Sequence, residues 1–241
     1  MLCSLDLRYY SLSIKNMTIL KRLLLDIQQV PKLIRSYVFC FRYFPYEQAK
    51  KMPVFLDEPI KILGLKRGTI VIKGEVKPRQ IYFGLGVKIL AREKTSIDVE
   101  GDGKIVFEGH AYFSKGSALM VDSGAVLTIG NGVGINNGCF IRCGRSITLG
   151  DEVMLGWDNE ISDTDGHPVY KDGVKIEDRM PITIGRHVWI TSHVRIGKGV
   201  IIPDGCIVAK GAVVTKKHEH TNTLIGGVPA KDIKQGVDWS R

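Results

Sequence analysis

The sequence has no C-x-x-C pair, and its five cysteines, Cys3, Cys40, Cys139, Cys143 and Cys206, are an odd number. That combination excludes a dithiol redox motif and a fully paired disulfide framework, and it reads as reduced thiols in a cytosolic protein. Nor is there a long apolar run free of charge. The most apolar early stretch, 19–44, carries Lys21, Arg22, Asp26, Lys32, Arg35 and Arg42, too many charges for a transmembrane span. Residues 1–16 lack signal-peptide architecture, because Asp6 and Arg8 interrupt the apolar run and no small-residue cleavage site follows. They read as a poorly ordered tail, with Met17 as an alternative start. Absent too is any block of Lys and Arg interleaved with aromatics. The net charge of +9, from 34 basic against 25 acidic residues, therefore points away from nucleic acid and toward a membrane surface, an acidic glycan or a phosphorylated cofactor.

What is present is a period of six. From Ile182 to Thr215 an aliphatic residue returns at Ile184, Ile190, Ile196, Ile202, Val208 and Val214, and a compact one follows four positions after each of the first five: Val188, Val194, Val200, Cys206 and Ala212. Six matches neither the 3.6 of a helix nor the 2 of a strand, so each unit is a short strand and a corner. Gly185, Gly197, Gly199, Gly205 and Gly211, with Pro203 and Asp204, supply turn chemistry. Three units per coil, stacked at the inter-strand spacing of about 4.8 Å, make a parallel β-helix of the hexapeptide type. Cys139 and Cys206 fall at the small inward position. Less regular strand-like pieces precede it, at 60–63, 69–73, 80–83, 96–99 and 104–108.

A longer internal repeat marks where the coil is broken. Leu127-Thr128-Ile129-Gly130 and Ile147-Thr148-Leu149-Gly150 are 20 residues apart, but Ile182-Thr183-Ile184-Gly185 follows only after 35. The surplus of 15 residues must loop out between Ser162 and Pro181, and such excursions are where binding groups are commonly mounted. His167 sits at its start, in Asp165-Gly166-His167-Pro168, with Asp163 just upstream. By itself this tetrapeptide is a turn whose histidine faces water. Its chemistry also suits proton abstraction from a hydroxyl near neutral pH, with a carboxylate or carbonyl fixing the tautomer.

The segments ITLGDEVMLG, DGHPVYKDG, PITIGRHVWITSHVRIGKGVIIPDGCIVAKGAVVTK and GGVPAKDIK resemble the hexapeptide-repeat acyltransferases, most closely the galactoside, maltose and polysaccharide O-acetyltransferase branch. The resemblance runs from about Gly134 to Lys234. It implies a left-handed parallel β-helix, so the expected class is all-β, with a short α-helical N-terminal region, read from the residues and unlike the helical cap of the sugar acetyltransferases, and a C-terminal cap. It also implies a homotrimer with active sites between neighbouring subunits, acetyl-CoA as co-substrate, no metal, and a saccharide acceptor in surface polysaccharide assembly. The family's base falls on His167, with Asp163 or Asp165 as candidates to orient it, and the acceptor-side asparagine on Asn136 or Asn137. The backbone amide beside the thioester falls on Ser192, and the pantetheine and phosphate positions on Lys210, Thr215, Lys216, Lys231 and Lys234. Apart from the resemblance, Trp157 reads as an outward aromatic with two roles open to it, subunit packing or stacking near the acceptor sugar, and Asp163 is a further candidate for acceptor binding. The sugar hydroxyl would attack the thioester directly, without an acyl-enzyme. Ala209-Lys210-Gly211 departs from the Gly-Ala-Gly of close relatives and adds a cation.

Other readings stand beside this one: sugar N-acyl transfer, a catalytically silent scaffold, or a zinc hydratase like the γ-class carbonic anhydrases. The last needs histidines five apart, whereas His187 and His193 are six apart and read as outward strand residues, solvated or at a subunit interface. The expected layout is a tail and helical region over 1–58, the β-helix over 59–221 with its excursion at 162–181, and a cap over 222–241. Two short helices are predicted, 18–29 and 32–43, divided by Pro31, with Leu20, Leu23, Leu24 and Ile27 along one stripe. Two roles are open to them: covering the open edge of the β-helix, or a basic amphipathic contact with anionic lipid through 18–44. The latter would place a cytoplasmic protein at the inner face of the membrane.

Overall fold

The computed structural model describes residues 19–86 and 93–241, with the side chains of 19–26 and 28 outside the description. The expectations for the 1–16 tail, Met17 and Cys3, and for the side chains of Leu20, Leu23 and Leu24, lie outside the described residues. The remainder is a left-handed parallel β-helix with three faces, an exception to right-handed crossover. Sheet A runs from Val54–Leu56 to Ala230–Gln235, sheet B from Lys61–Leu63 to Val213–Val214, and sheet C from Ile70–Ile72 to Ile201–Ile202.

Register shows how the coil is built. Val126 pairs with Lys104, 22 residues earlier, Ser146 with Val126, 20 earlier, and Ile201 with Thr183, 18 earlier. The prism narrows along the chain, and its filling narrows with it. Phe83, Phe107 and Phe113 fill the wide coils, the rings of Phe83 and Phe113 stacking at 4.6 Å, while Ile190, Val194, Cys206 and Ala212 fill the tight ones. All six aliphatics of the hexad series, and all five compact residues after them, are buried. The pairing of Ile147 with Ile182 spans 35 residues, as the interrupted repeat requires.

Two expectations change here. His187 and His193 are not strand residues. They occupy corners with φ of 54° and 60°, and Gly199, Gly205 and Gly211 occupy the same left-handed position in the next three units. The six-residue spacing of the histidines is therefore a backbone property, at a position where histidine is tolerated better than most side chains. The coil also extends beyond 59–221 at both ends, since Val54–Leu56 pairs with Ile81–Phe83 and Thr223–Gly227 continues sheet A.

The two predicted helices are one, α1 (Ile19–Tyr43), followed by the single turn α2 (Tyr46–Ala49). Pro31 lies on the exposed side of α1, where the carbonyl freed by its missing N–H can be solvated, so the helix continues through it. One side of α1 covers the open edge of sheet A. The Leu56 N–H donates to Ser36 Oγ (2.9 Å) and Cys40 Sγ donates to the Val54 carbonyl (3.5 Å), while Phe39, Cys40, Tyr43 and Phe44 are buried. Lys32 and Arg35 clamp Asp57 beside it. The opposite side of the helix carries Ile27, Val30, Ile34, Tyr37 and Val38, all about half exposed.

Candidate active site

The excursion leaves the coil at the corner between sheets B and C. Its root is held by Asp163, whose side chain is fully buried. Oδ1 accepts the Gly144 N–H (2.5 Å), and Oδ2 accepts those of Arg145 (2.9 Å) and Ser146 (2.6 Å), so the carboxylate ties the loop to the corner one coil below. Asp163 is thus a turn-forming residue here, with no surface to offer an acceptor. Arg179 closes the other side, donating to the Gly144 carbonyl (2.7 Å) and pairing with buried Asp122 (3.1 Å). Beyond the root, Val169–Lys171 and Val174–Ile176 form an antiparallel hairpin about Asp172-Gly173, both at positive φ, the Asp-Gly pairing that a two-residue hairpin turn favours.

His167 stands between root and hairpin. It is exposed and makes no hydrogen bond or ion pair among the described residues. Asp165 is engaged by the Lys198 ammonium, which also donates to the Glu177 carbonyl (2.7 Å). Neither acid suggested by the sequence touches the imidazole.

The neighbouring corner, between sheets A and B, gathers Asn136, Trp157, Ser192 and Lys210 in successive coils. The Asn136 amide nitrogen donates to the Leu155 carbonyl (2.8 Å), leaving Oδ1 unpartnered among the described residues. Ser192 Oγ accepts the Trp157 N–H (3.2 Å) and the Ser192 carbonyl accepts that of Gly211 (3.1 Å). The N–H of Ser192 has no such partner among the described residues, the state required of an oxyanion donor. Asn137 is buried and donates to the Lys115 carbonyl (3.1 Å). Trp157 and Lys210 are exposed.

The remaining cofactor candidates are spread further. Thr215 and Lys216 are exposed at the B–C corner, and Lys231 and Lys234 lie exposed on the last strand of sheet A. Between those two lysines, Asp232 is held by His218 (2.5 Å) and His220 (3.1 Å), and chiefly the His218 bond keeps its carboxyl below the usual aspartate value. A single chain therefore offers two candidate corners, and it does not bring His167 together with Asn136 or Ser192.

Among the described residues no thiol competes for the role of nucleophile. Burial pushes Cys139 and Cys143 up to about 12 and Cys40 to about 11, so all three are protonated at neutral pH. Among the described residues no group of three or more His, Cys, Asp or Glu is placed to hold a metal ion. His187 instead stacks on Trp239 at 4.4 Å, and its carbonyl accepts the indole N–H (2.9 Å).

One neighbour of the candidate base was not singled out by the sequence. Arg142, at an outward position of Phe140–Cys143 in sheet B, lies under Gly166. A Cβ at Gly166, whose φ is +80°, would sit 3.2 Å from an Arg142 terminal nitrogen. The Arg142 side chain has no hydrogen bond or ion pair among the described residues, and its Nε is buried. The signal available was the alternation Phe-Ile-Arg-Cys, which points an arginine outward in the strand beneath the loop.

No family model matches the chain. It is 32% identical over 164 residues to a polysialic acid O-acetyltransferase of Neisseria meningitidis, a match spanning 67% of this chain and 75% of that one. Among solved structures it resembles the polysialic acid O-acetyltransferase OatWY, at 26% identity and a TM-score of 0.53, over 76% of this chain and 87% of that one. It also shares a fold with the polySia-specific acetyltransferase NeuO, at 22% identity and a TM-score of 0.52, over 78% and 89% of the two chains.

Proposed function

This chain belongs to the hexapeptide-repeat O-acetyltransferases, and from that premise we propose how its residues divide the transfer of an acetyl group from acetyl-CoA to a saccharide hydroxyl. His167 takes the proton of the hydroxyl as that oxygen attacks the thioester carbonyl, and the thiolate of CoA leaves. The Ser192 N–H receives the negative charge that develops on the carbonyl oxygen. Asn136 Oδ1 orients the acceptor hydroxyl and Trp157 stacks on the sugar ring. Asp165, anchored by Lys198, sets the position of the Gly166-His167 segment and so acts on the base through the backbone. Lys210, Thr215, Lys216, Lys231 and Lys234 meet the pantetheine and phosphates of CoA, lysine serving as a point charge for phosphate.

The two corners work together across a subunit boundary. In a homotrimer, the A–B corner of one prism faces the B–C loop of its neighbour, which completes a site that one chain leaves open. The acceptor is an acidic surface glycan. The net charge of +9 favours one, and the similar meningococcal enzyme is named for an acidic polysaccharide. The apolar stripe of α1, flanked by Arg35 and Arg42, rests on an anionic membrane surface, where glycan assembly intermediates are presented. No helix among the described residues is long and apolar enough to cross a membrane.

The observation that carries the reading is an exposed histidine, beside the root of the excursion, with no partner among the described residues, one corner away from a backbone N–H that also has none among them. The test is thiol release from acetyl-CoA across a panel of saccharides, with His167→Ala as the comparison. The substitution is expected to lower kcat by about 10²- to 10⁴-fold while leaving the Kd for acetyl-CoA unchanged, because the base acts in the transition state. Loss of CoA binding together with activity would make His167 structural and refute the assignment.

A further inference from the structure

Arg142 is a half-buried guanidinium with no partner among the described residues, a costly arrangement unless a ligand or water satisfies it. The acids of the loop root do not neutralise it. Asp122 is paired with Arg179, Asp163 is occupied by three backbone amides, and Asp165 is held by Lys198. Its buried Nε leaves the terminal nitrogens as the reachable part of the fork. These nitrogens face Gly166, the residue before His167, and the absence of a Cβ there keeps the approach open.

From this geometry we propose that Arg142 forms a carboxylate-binding subsite on the outer face of sheet B. It takes the carboxylate of an acidic sugar while His167 works on a hydroxyl of the same residue or its neighbour. This rests on the saccharide acetyltransferase reading above and adds to it the group that selects an acidic acceptor over a neutral one. Guanidinium suits the task because its planar fork can engage both carboxylate oxygens. Lysine in the same place would keep the charge and lose the fork.

The experiment is calorimetric titration of the full-length protein, saturated with CoA, with sialic acid and uronic acid oligomers and with their carboxyl-amidated counterparts. At least one acidic oligomer is expected to bind the unaltered protein more tightly than its amidated form. Arg142→Gln is expected to weaken that binding about 10- to 100-fold, the scale of a lost charge-assisted pair, without changing the affinity for the amidated form or for acetyl-CoA. Arg142→Lys should recover part of the loss. Equal affinity for acidic and amidated forms in the unaltered protein would overturn the proposal, as would equal weakening of both forms in Arg142→Gln. A selective fall in acetyl-CoA affinity would also overturn it, by assigning the guanidinium to CoA phosphate. Thiol release is measured in parallel. Arg142-dependent binding of the acid without acetyl transfer would refute the transfer reading and leave the carboxylate subsite standing.

Discussion

Replacing Asp163 by asparagine keeps the shape of the side chain and removes its charge, at a point where three backbone donors converge, the Gly144 one buried. One asparagine oxygen can still accept the Arg145 and Ser146 N–H groups now held at 2.9 and 2.6 Å, but its amide nitrogen then faces the Gly144 N–H, which loses its partner. An unsatisfied buried donor costs about 1–3 kcal/mol, and the two surviving bonds lose charge assistance worth about 1 kcal/mol each. The sum is about 3–5 kcal/mol, a large fraction of the 5–15 kcal/mol typical of a folded domain. At about 2–4 °C per kcal/mol for a chain of this size, Tm should fall by about 6–20 °C. The assay is thermal unfolding with and without acetyl-CoA, with steady-state kinetics measured well below the lowered Tm. KM for acetyl-CoA should stay constant while kcat falls, since the loop carrying His167 loses its anchor. An unchanged Tm with a raised acceptor KM would refute this reasoning, because it would place Asp163 against the sugar, as the sequence alone suggested.

Three further outcomes follow from the same structure. His193 occupies a left-handed corner position, so His193→Gly should be neutral in thermal unfolding, whereas the β-branched His193→Val should cost about 1–2 kcal/mol. Equal loss from both would mean that the imidazole itself is needed. Ile34→Asp breaks the exposed stripe of α1 and should reduce co-sedimentation with anionic vesicles without altering turnover on a soluble oligosaccharide, and unchanged sedimentation would dismiss the membrane contact. Asp232 has its folded pKa held below its unfolded one. Its contribution to the terminal hairpin is therefore complete above the ordinary aspartate range and lost as pH falls through the lower folded value. Hydrogen exchange over 223–235 should show protection that is full above the ordinary aspartate range and declines as pH falls below it, and constant protection would show that the His218 and His220 contacts do not hold the hairpin.

The fold was legible because its signal is local and repeated. An aliphatic residue every six positions, with turn residues between, reports one strand and one corner at a time, and needs no knowledge of what lies one coil away. Val54–Leu56 escaped the same reading because all three residues are buried, the ring of Phe55 being packed against Tyr82 and beneath the Arg79 guanidinium, so no alternation marks them. Pro31 was over-read. Proline breaks helices on average, but this one sits where the lost hydrogen bond faces solvent. His167 stands out as a candidate because its loop interrupts a regular count. The partners of Asp163 were not found, since Gly144 to Ser146 lie 17–19 residues earlier and only the coil register brings them there. Arg142 was missed for the same reason, its proximity to Gly166 being created by a loop folding back over a strand. In the proposed assembly, His167 meets Asn136 and Ser192 only across two copies of the chain, an arrangement that no spacing within one sequence encodes.

Seen along its axis, the molecule is a short length of fibre with a stopper at each end of one face. Parallel coils add at about 4.8 Å apiece, and nothing in the stacking geometry itself says when to stop. At the first strand of sheet A, Ser36 and Cys40 of α1 occupy the backbone groups of Val54 and Leu56. At the other end the chain turns back on itself, and its edge carries Lys231, Asp232 and Lys234, the kind of charged border that resists further pairing. Length is thus set by termination rather than by the repeat. A natural or designed relative could gain or lose whole coils in the middle while keeping both stoppers, whereas removing residues 19–49 would leave a bare parallel edge ready to recruit another copy end to end.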